Sequence, residues 1–334
     1  MVSIKDIARS LGVSPSSVSI VLNGKAKEKR ISDELASKIL KASQLMGYFP
    51  NQAAVSLRTG QSKTIGLLVE NISNNFFSYL AKTIEDEVRM FGYNVVYCST
   101  ENDPRKGSEL IQMLYNQQVD GYLITPTVGM EADIKKLVDR KKPVVLMDRY
   151  LESIDLPYVL ADNSKGMKDG MEILIKAGYR KVGFVTNDLD LVQMRERERA
   201  YKEALDLADI LIDEKKILKL KYTFLKDEAI KSISDFLEVS DLDAIFFATN
   251  YIGIYGLQSI HNLKIKIREG LGVICFDDHD IFSLHTPAIT AIRQPIKEIA
   301  ITAVRILMGQ LGLLQNVQDY QVLLPTKIIF RNSL

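Results

Sequence analysis

The stretch IKDIARSLGVSPSSVSIVLN, residues 4–23, decides what stands at the front of this chain. Ser3 is placed to cap a helix whose apolar positions Ile4, Ile7, Ala8 and Leu11 share one face through a spacing of three and four. Gly12 supplies the turn, because glycine enters the left-handed conformation that ends helices cheaply. Ser14 stands as the next N-cap, and Pro15 takes the first helical position, where a missing N–H is no loss. Val18, Val21 and Leu22 give this second helix a buried side, while Ser16, Ser17, Ser19 and Ile20 face elsewhere. A segment rich in Gly and Lys follows Asn23. A third helix is expected from about Ser32, with Leu35, Ile39, Leu40 and Leu45 inside.

Three short helices with a tight turn between the first two match the helix-turn-helix plan, whose second helix enters the major groove. Small hydroxylated side chains at its N-terminus suit close approach to phosphates and base edges. The same pattern also serves a capped three-helix corner with a solvated serine face. Charge adds a hint: residues 1–60 carry nine Lys/Arg and four Asp/Glu, so the head holds +5 and the remainder −4 of a net +1. A basic head on a mildly acidic body suits contact with a polyanion.

Outside the head, 334 residues of which 46% are hydrophobic and 25% charged describe an ordinary globular chain of two or three units. Cys98 and Cys275 each fall in an apolar run that reads as a strand, so buried free thiols in a reducing cytoplasm are expected. No export signal or membrane-spanning run is read, because charges interrupt the first apolar positions and every later apolar stretch. His261, His279 and His285 have no metal-ligand spacing, and no metal or cofactor is expected.

From Thr64 the chain alternates ten apolar runs with amphipathic helices: TIGLLVE, NVVYCS, DGYLITPT, PVVLMDR, YVLADN, then KVGFVT, ILKLKYT, AIFFATN, LGVICFDD and AITAIRQP. Such alternation predicts parallel sheets covered on both faces, and ten strands predict two doubly wound lobes of α/β class. No G-x-G-x-x-G or Walker lysine loop follows a strand, and no G-x-S-x-G elbow occurs. Ligands of such sheets lie beyond the carboxyl ends of the strands. There the sequence places Asn74, Asn75, Phe76 and Phe77, then Asp148 and Arg149, Asn250, and Asp277 and Asp278. An aromatic face with carboxylates, amides and arginine is the mixture that sugar-like ligands require. Each residue also has a structural role open to it, as a helix cap or as core.

The IKDIARSLGVSPSSVS opening, the VLNGK…RIS loop, the GYFPN segment and AAVSLRTGQS before the TIGLL strand resemble the lactose-repressor (LacI/GalR) family of bacterial transcription regulators. The resemblance continues through HTPAITAIRQPIKEIAITAVRILMGQL and VLLPTKIIFRNSL to the C-terminus. It implies a helix-turn-helix domain over 1–50, a hinge helix and linker over 51–61, and an effector-binding and dimerisation domain over 62–334. Lobe one would comprise about 62–162 and 293–322, and lobe two about 163–292 and 323–334, like periplasmic sugar-binding proteins. DNA contacts would come from Ser14, Pro15, Ser16, Ser17, Ser19, Ile20 and Asn23 of the head and from Ala54, Leu57 and Arg58 of the hinge, Leu57 wedging the minor groove. Pro15, Ser16 and Ile20 offer no long bidentate donor, and Val55 stands where many members have Arg, which shifts weight to methyl contacts and DNA deformability.

The resemblance also implies an interlobe effector cleft built from Phe76, Phe77, Asp148, Arg149, Arg197, Phe224, Asn250 and Asp277. Arg197 presents a planar fork to vicinal oxygens, and Asp277 accepts hydroxyl protons. Arg195 and Arg199 read as solvated neighbours. Leu191 and Gln193 occupy positions that are more polar in some relatives, which favours a ligand less anionic than a phosphosugar. The helix over 296–311, rich in Leu, Ile and Met, is either a dimer contact or covered within one chain. The expectation is therefore a homodimeric, cytoplasmic DNA-binding transcription regulator, a repressor by family default. It would bind double-stranded operator DNA and answer to a sugar or sugar derivative. The rival is a sugar-binding protein or sugar-modifying enzyme with an incidental helical head.

Overall fold

In the computed structural model, placement is described for residues 2–49, 55–56, 59–222, 225–318 and 320–334. The chain divides into one unit over Met1–Ser62 and a second over Lys63–Leu334. In the first unit, α1 (Ile4–Leu11) starts at a reciprocal capping box between Ser3 and Asp6 and ends at Gly12 with φ 65°. Ser14 caps α2 (Pro15–Leu22), and Ser32 caps α3 (Asp33–Leu45). Ile7, Ala8, Val18, Val21 and Ile39 form the core of the bundle. Leu40 and Leu45 do not join it; they are 49% and 89% exposed. The stripe of α3 that faces the core runs through Leu35, Ala36, Ile39, Ala42 and Met46, and a residue one step off it points about 100° away.

The second unit holds two six-stranded sheets. In the first, the order is β11-β5-β4-β3-β1-β2, all parallel, from β1 (Thr64–Val69), β2 (Asn94–Ser99), β3 (Gly121–Ile124), β4 (Val144–Met147), β5 (Tyr158–Ala161) and β11 (Gln321–Leu324). In the second, the order is β12-β10-β9-β8-β6-β7. Its members are β6 (Val182–Asn187), β7 (Ile217–Leu220), β8 (Ala244–Phe247), β9 (Gly272–Phe276), β10 (Thr290–Arg293) and β12 (Lys327–Ile329), with β12 alone antiparallel. The ten strands read from the sequence all form, and the C-terminal run VLLPTKIIF adds two more. Pro325 has no N–H to extend a ladder, so the run divides there and its halves serve different sheets.

The first five strands of each lobe repeat one order, β2-β1-β3-β4-β5 and β7-β6-β8-β9-β10. Helices cover both faces: α4 (Asn75–Arg89), α5 (Pro104–Asn116) and α6 (Glu131–Asp139) on lobe one. Lobe two carries α7 (Asn163–Lys176), α8 (Val192–Asp206), α9 (Lys226–Val239), α10 (Asn250–Asn262) and the short α11 (Asp280–Leu284). Helix α12 (Ile296–Gln310) returns to lobe one, where Ile299, Ala300, Ala303, Val304, Ile306, Leu307 and Met308 are all buried within this chain. Most of its apolar side chains are therefore covered within one subunit, while Ile296 and Ile301 stay partly exposed. Cys275 is buried as expected, whereas Cys98 is only half-buried because β2 is an edge strand; neither forms a disulfide. Among the described residues no helix is long and apolar enough to cross a membrane.

Candidate ligand cleft and nucleic-acid interface

Helix α2 presents fewer open hydrogen-bonding groups than its serines suggest. The Ser14 hydroxyl accepts the Ser17 backbone N–H at 3.0 Å and lies 2.9 Å from the Ser17 hydroxyl. At the other end Asn23 donates to the Ser19 carbonyl at 2.6 Å and to the Ser19 hydroxyl at 3.3 Å. Pro15 and Ser16 are exposed and Ile20 is half-exposed, so the outward face is small and mostly apolar. Ala54, Leu57 and Arg58 lie outside the described residues.

The loops at the carboxyl ends of the strands of both lobes converge on a narrow cleft whose empty space, open solvent included, is ≈ 430 Å³. Lobe one contributes Glu70 after β1, Asn74, Phe76 and Phe77 at the start of α4, and Asp148 after β4. Lobe two contributes Asn187 at the end of β6, Gln193 and Arg197 on α8, Tyr251 on α10 and Asp277 after β9; Gln294 follows β10. At its centre Arg197 is almost wholly buried and is held through its Nε and Nη1. Its Nε donates to Asn163 Oδ1 at 2.9 Å and its Nη1 to the Ala248 carbonyl at 2.6 Å. The guanidinium lies 3.7 Å from the Phe276 ring centre and pairs with Asp277 at 3.4 Å. Gln294 donates to the other oxygen of Asp277 at 2.5 Å.

Asp148 and Asp277 follow the fourth strand of their respective lobes, and both have positive φ, 65° and 67°. Aspartate tolerates this conformation better than most side chains, and residues held in it gather at functional sites. Burial pushes the Asp148 carboxyl up to about 6; Arg149 and Arg197 oppose the rise, and Glu70 and Asp277 add to it. Arg149, equally buried, is gripped by Glu70, by Asp148 at 3.3 Å and by Asn102 at 2.9 Å. Gln193 is buried against the cleft, and its side-chain oxygen meets no donor among the described residues.

Of the eight residues expected in the cleft, Phe76, Phe77, Asp148, Arg197 and Asp277 line it. Phe76 and Phe77 meet edge to face at 4.9 Å and belong to the lobe-one core as well, so both of their open roles apply. Arg149 stands behind the carboxylates and faces a neighbouring hollow instead. Asn250 also misses this chamber; it starts α10 and donates to Asn74 at 3.3 Å, further out. Phe224 lies outside the described residues. Arg195 and Arg199 sit on the exposed side of α8 with carboxylate partners. Glu70, Asn187, Tyr251 and Gln294 were not foreseen. Glu70 and Asn187 close the strands TIGLLVE and KVGFVTN, so the position that singled out Asp148 and Asp277 also marked them.

Three family descriptions match the chain, the last two overlapping over residues 171–221. Residues 3–51 match bacterial regulatory proteins of the lacI family, and residues 62–221 match periplasmic binding proteins and the sugar binding domain of the LacI family. Residues 171–334 match the periplasmic binding protein-like domain. The chain belongs to the LacI family of bacterial regulatory proteins. The ribose operon repressor of Halalkalibacterium halodurans is 28% identical over 334 residues, covering 100% of this chain and 97% of its own. Catabolite control protein A of Priestia megaterium is 28% identical, covering 99% of each. Among solved structures, the lac repressor dimer bound to operator and an anti-inducer superposes with a TM-score of 0.86 at 20% identity, covering 99% of this chain and 98% of that one. A complex of the transcriptional regulator CelR with cellobiose gives 0.73 at 22% identity, covering 100% of both. As a LacI-family member the chain is a DNA-binding transcription regulator, and the helix-turn-helix and the two-lobed α/β body are the parts that such a regulator combines.

Proposed function

We propose that this LacI-family chain acts in the cytoplasm as a homodimeric repressor, and that a neutral sugar in the interlobe cleft changes its affinity for operator DNA. The cleft carries the reading through one observation. The buried Arg197, pinned over Phe276 and paired with Asp277, offers a fixed donor beside a fixed acceptor, the arrangement that vicinal hydroxyls fit. Each arginine near the cleft faces carboxylates, Arg197 with Asp277 and Arg149 with Glu70 and Asp148, which disfavours an anionic effector. Relatives named as a ribose operon repressor and as a cellobiose-bound regulator point the same way.

In this reading paired heads occupy adjacent half-sites, with Pro15, Ser16 and Ile20 against the major groove and Ala54, Leu57 and Arg58 serving the hinge. The outward face of α2 has little to read bases with, so sequence preference comes largely from a deformable central step opened by Leu57. The test is selection from a random duplex pool by the full-length chain at physiological salt, with and without a mixture of neutral sugars. Recovery of a near-palindrome with a flexible centre supports the proposal. No motif under either condition overturns it. With that site as probe, Leu57→Ala should abolish bending, and Arg197→Ala should abolish any response to sugar.

A further inference from the structure

The body begins at a clamped residue. Lys63, its first, has φ 53°, a left-handed conformation that a lysine keeps only where its surroundings over-determine it. Here they do so from two sides. The Lys63 backbone N–H donates to Asp120 Oδ2 at 3.0 Å, and its carbonyl accepts the Asn94 N–H at 2.9 Å. One residue on, the Thr64 carbonyl accepts the Asp120 N–H at 2.9 Å. The Lys63 ammonium lies 4.5 Å from the centre of the Tyr93 ring and 3.5 Å from its hydroxyl. Burial pushes the Tyr93 phenol up to about 12 and the Asp120 carboxylate adds to the rise, so the ammonium meets a neutral ring.

Asn94 opens β2 and Asp120 directly precedes β3, the two strands that flank β1 in the sheet. The three strands meet here at their amino ends, opposite the end where Glu70 enters the cleft. Between the two ends β1 has six residues, five of them buried, a span of about 20 Å. A strand so placed moves as one piece with its lobe. Residues 51–62 join the body at Lys63. Resting on the reading of 51–61 as the hinge segment, we propose that Asp120 is a positioning residue for operator binding: by holding Lys63 left-handed, it sets the direction in which the hinge segment leaves lobe one. Asp120 touches no DNA in this role and acts through Lys63. Without its carboxylate, Lys63 returns to the common region of negative φ, the chain before it swings, and paired hinge segments lose their common register on the duplex.

The probe is the near-palindrome recovered by selection, beside a scrambled duplex of equal length, with binding of the full-length chain read by anisotropy. Asp120→Ala should weaken operator binding by about tenfold or more. It should leave the affinity for the scrambled duplex within about twofold, since non-specific binding rests on phosphate contacts. Lys63→Pro lacks the N–H and cannot take positive φ, so it should reproduce the loss. It alters only the first residue of the body and decides the matter if Asp120→Ala fails to fold. Asp120→Asn keeps an oxygen for the Lys63 N–H and should hold operator affinity within about threefold of the native chain. A double-mutant cycle with Leu57→Ala separates positioning from plain stabilisation. With the minor-groove contact already gone, Asp120→Ala should cost less than about twofold more. Unchanged operator affinity in Asp120→Ala or in Lys63→Pro overturns the proposal. So does an equal loss on the scrambled duplex, or a loss of the same size with and without Leu57→Ala. A native chain that does not prefer operator to scrambled duplex, or that loses nothing in Leu57→Ala, removes the hinge reading and this proposal with it.

Discussion

Two aspartates carry the pseudo-symmetry of the body down to single side chains. Asp148 and Asp277 close equivalent strands, both in the left-handed region, and each faces a buried arginine. They differ in solvation, and that difference is testable. Asp148 is fully buried, and its carboxyl is raised from 3.8 to about 6. Between those pH values the folded protein holds a proton that the unfolded chain has released, so stability falls as pH rises across that window and is level above it. A shift of that size corresponds to about 3 kcal/mol at most. Asp148→Asn has the shape of the protonated acid and equal tolerance of positive φ, so it should lack this dependence. Denaturation midpoints measured from pH 4 to 8 should show the variant equal to the native chain near pH 4 and more stable by about 1–3 kcal/mol above pH 6. Parallel curves would show that Asp148 is ionised throughout. The importance of Asp148 was legible from its place at the end of a strand. Its burial was not, because burial depends on Glu70 and Arg149, which the sequence sets 79 residues apart. Gln294 is only 17 residues from Asp277, but it reaches the carboxylate from the segment that crosses back to lobe one after β10, a geometry no local pattern shows.

At the scale of elements, local chemistry was the most readable part. Ser3, Ser14 and Ser32 cap where their positions say they should, Gly12 turns, and each apolar run becomes a strand. What failed to read was which of several apolar residues on an element meets the core, as Leu40 and Leu45 show on α3. Those outcomes depend on the partner surface. Gly256 on α10 illustrates the point. In an isolated helix Gly→Ala gains about 1 kcal/mol of helix propensity. Here a Cβ would lie 2.1 Å from the ring of Phe247, which is wholly buried on β8. A ring fixed by the core cannot retreat, and overpacking of this kind costs about 1–3 kcal/mol. Gly256→Ala should therefore lower the urea midpoint of the body despite its better propensity. Gly256→Ala combined with Phe247→Leu should lose less than the two single variants added together. An unchanged midpoint in Gly256→Ala would mean that α10 shifts to make room.

For the molecule as a whole, the question is how a sugar between two lobes is felt elsewhere. The chain passes from lobe one to lobe two after β5, returns after β10 and crosses again between β11 and β12. Such strands act as a hinge when a ligand changes the angle between lobes. Gln294 sits in the second crossing, is buried, and donates to Asp277, so one side chain belongs both to the ligand site and to the hinge. Other bridges between the lobes are Asn74 with Asn250, Asn75 with His279, and Arg195 with Glu152. If the closed arrangement that these contacts favour is one of two states, the coupling between sugar and operator is a free energy and must be reciprocal. A sugar that weakens operator binding by some factor, about 5–150-fold in most such systems, must itself bind that much more weakly to the operator complex. Gln294→Leu keeps the volume but loses the hydrogen bond to Asp277. It should reduce the coupling factor several-fold while changing the sugar affinity of the DNA-free protein much less. Both affinities, measured by operator anisotropy with and without sugar and by calorimetry with and without operator, close the cycle. An unchanged factor in Gln294→Leu would place the transmission in the other bridges. Unequal factors in the two directions would mean that sugar and operator are linked through a third equilibrium, the association of the subunits being the first to measure.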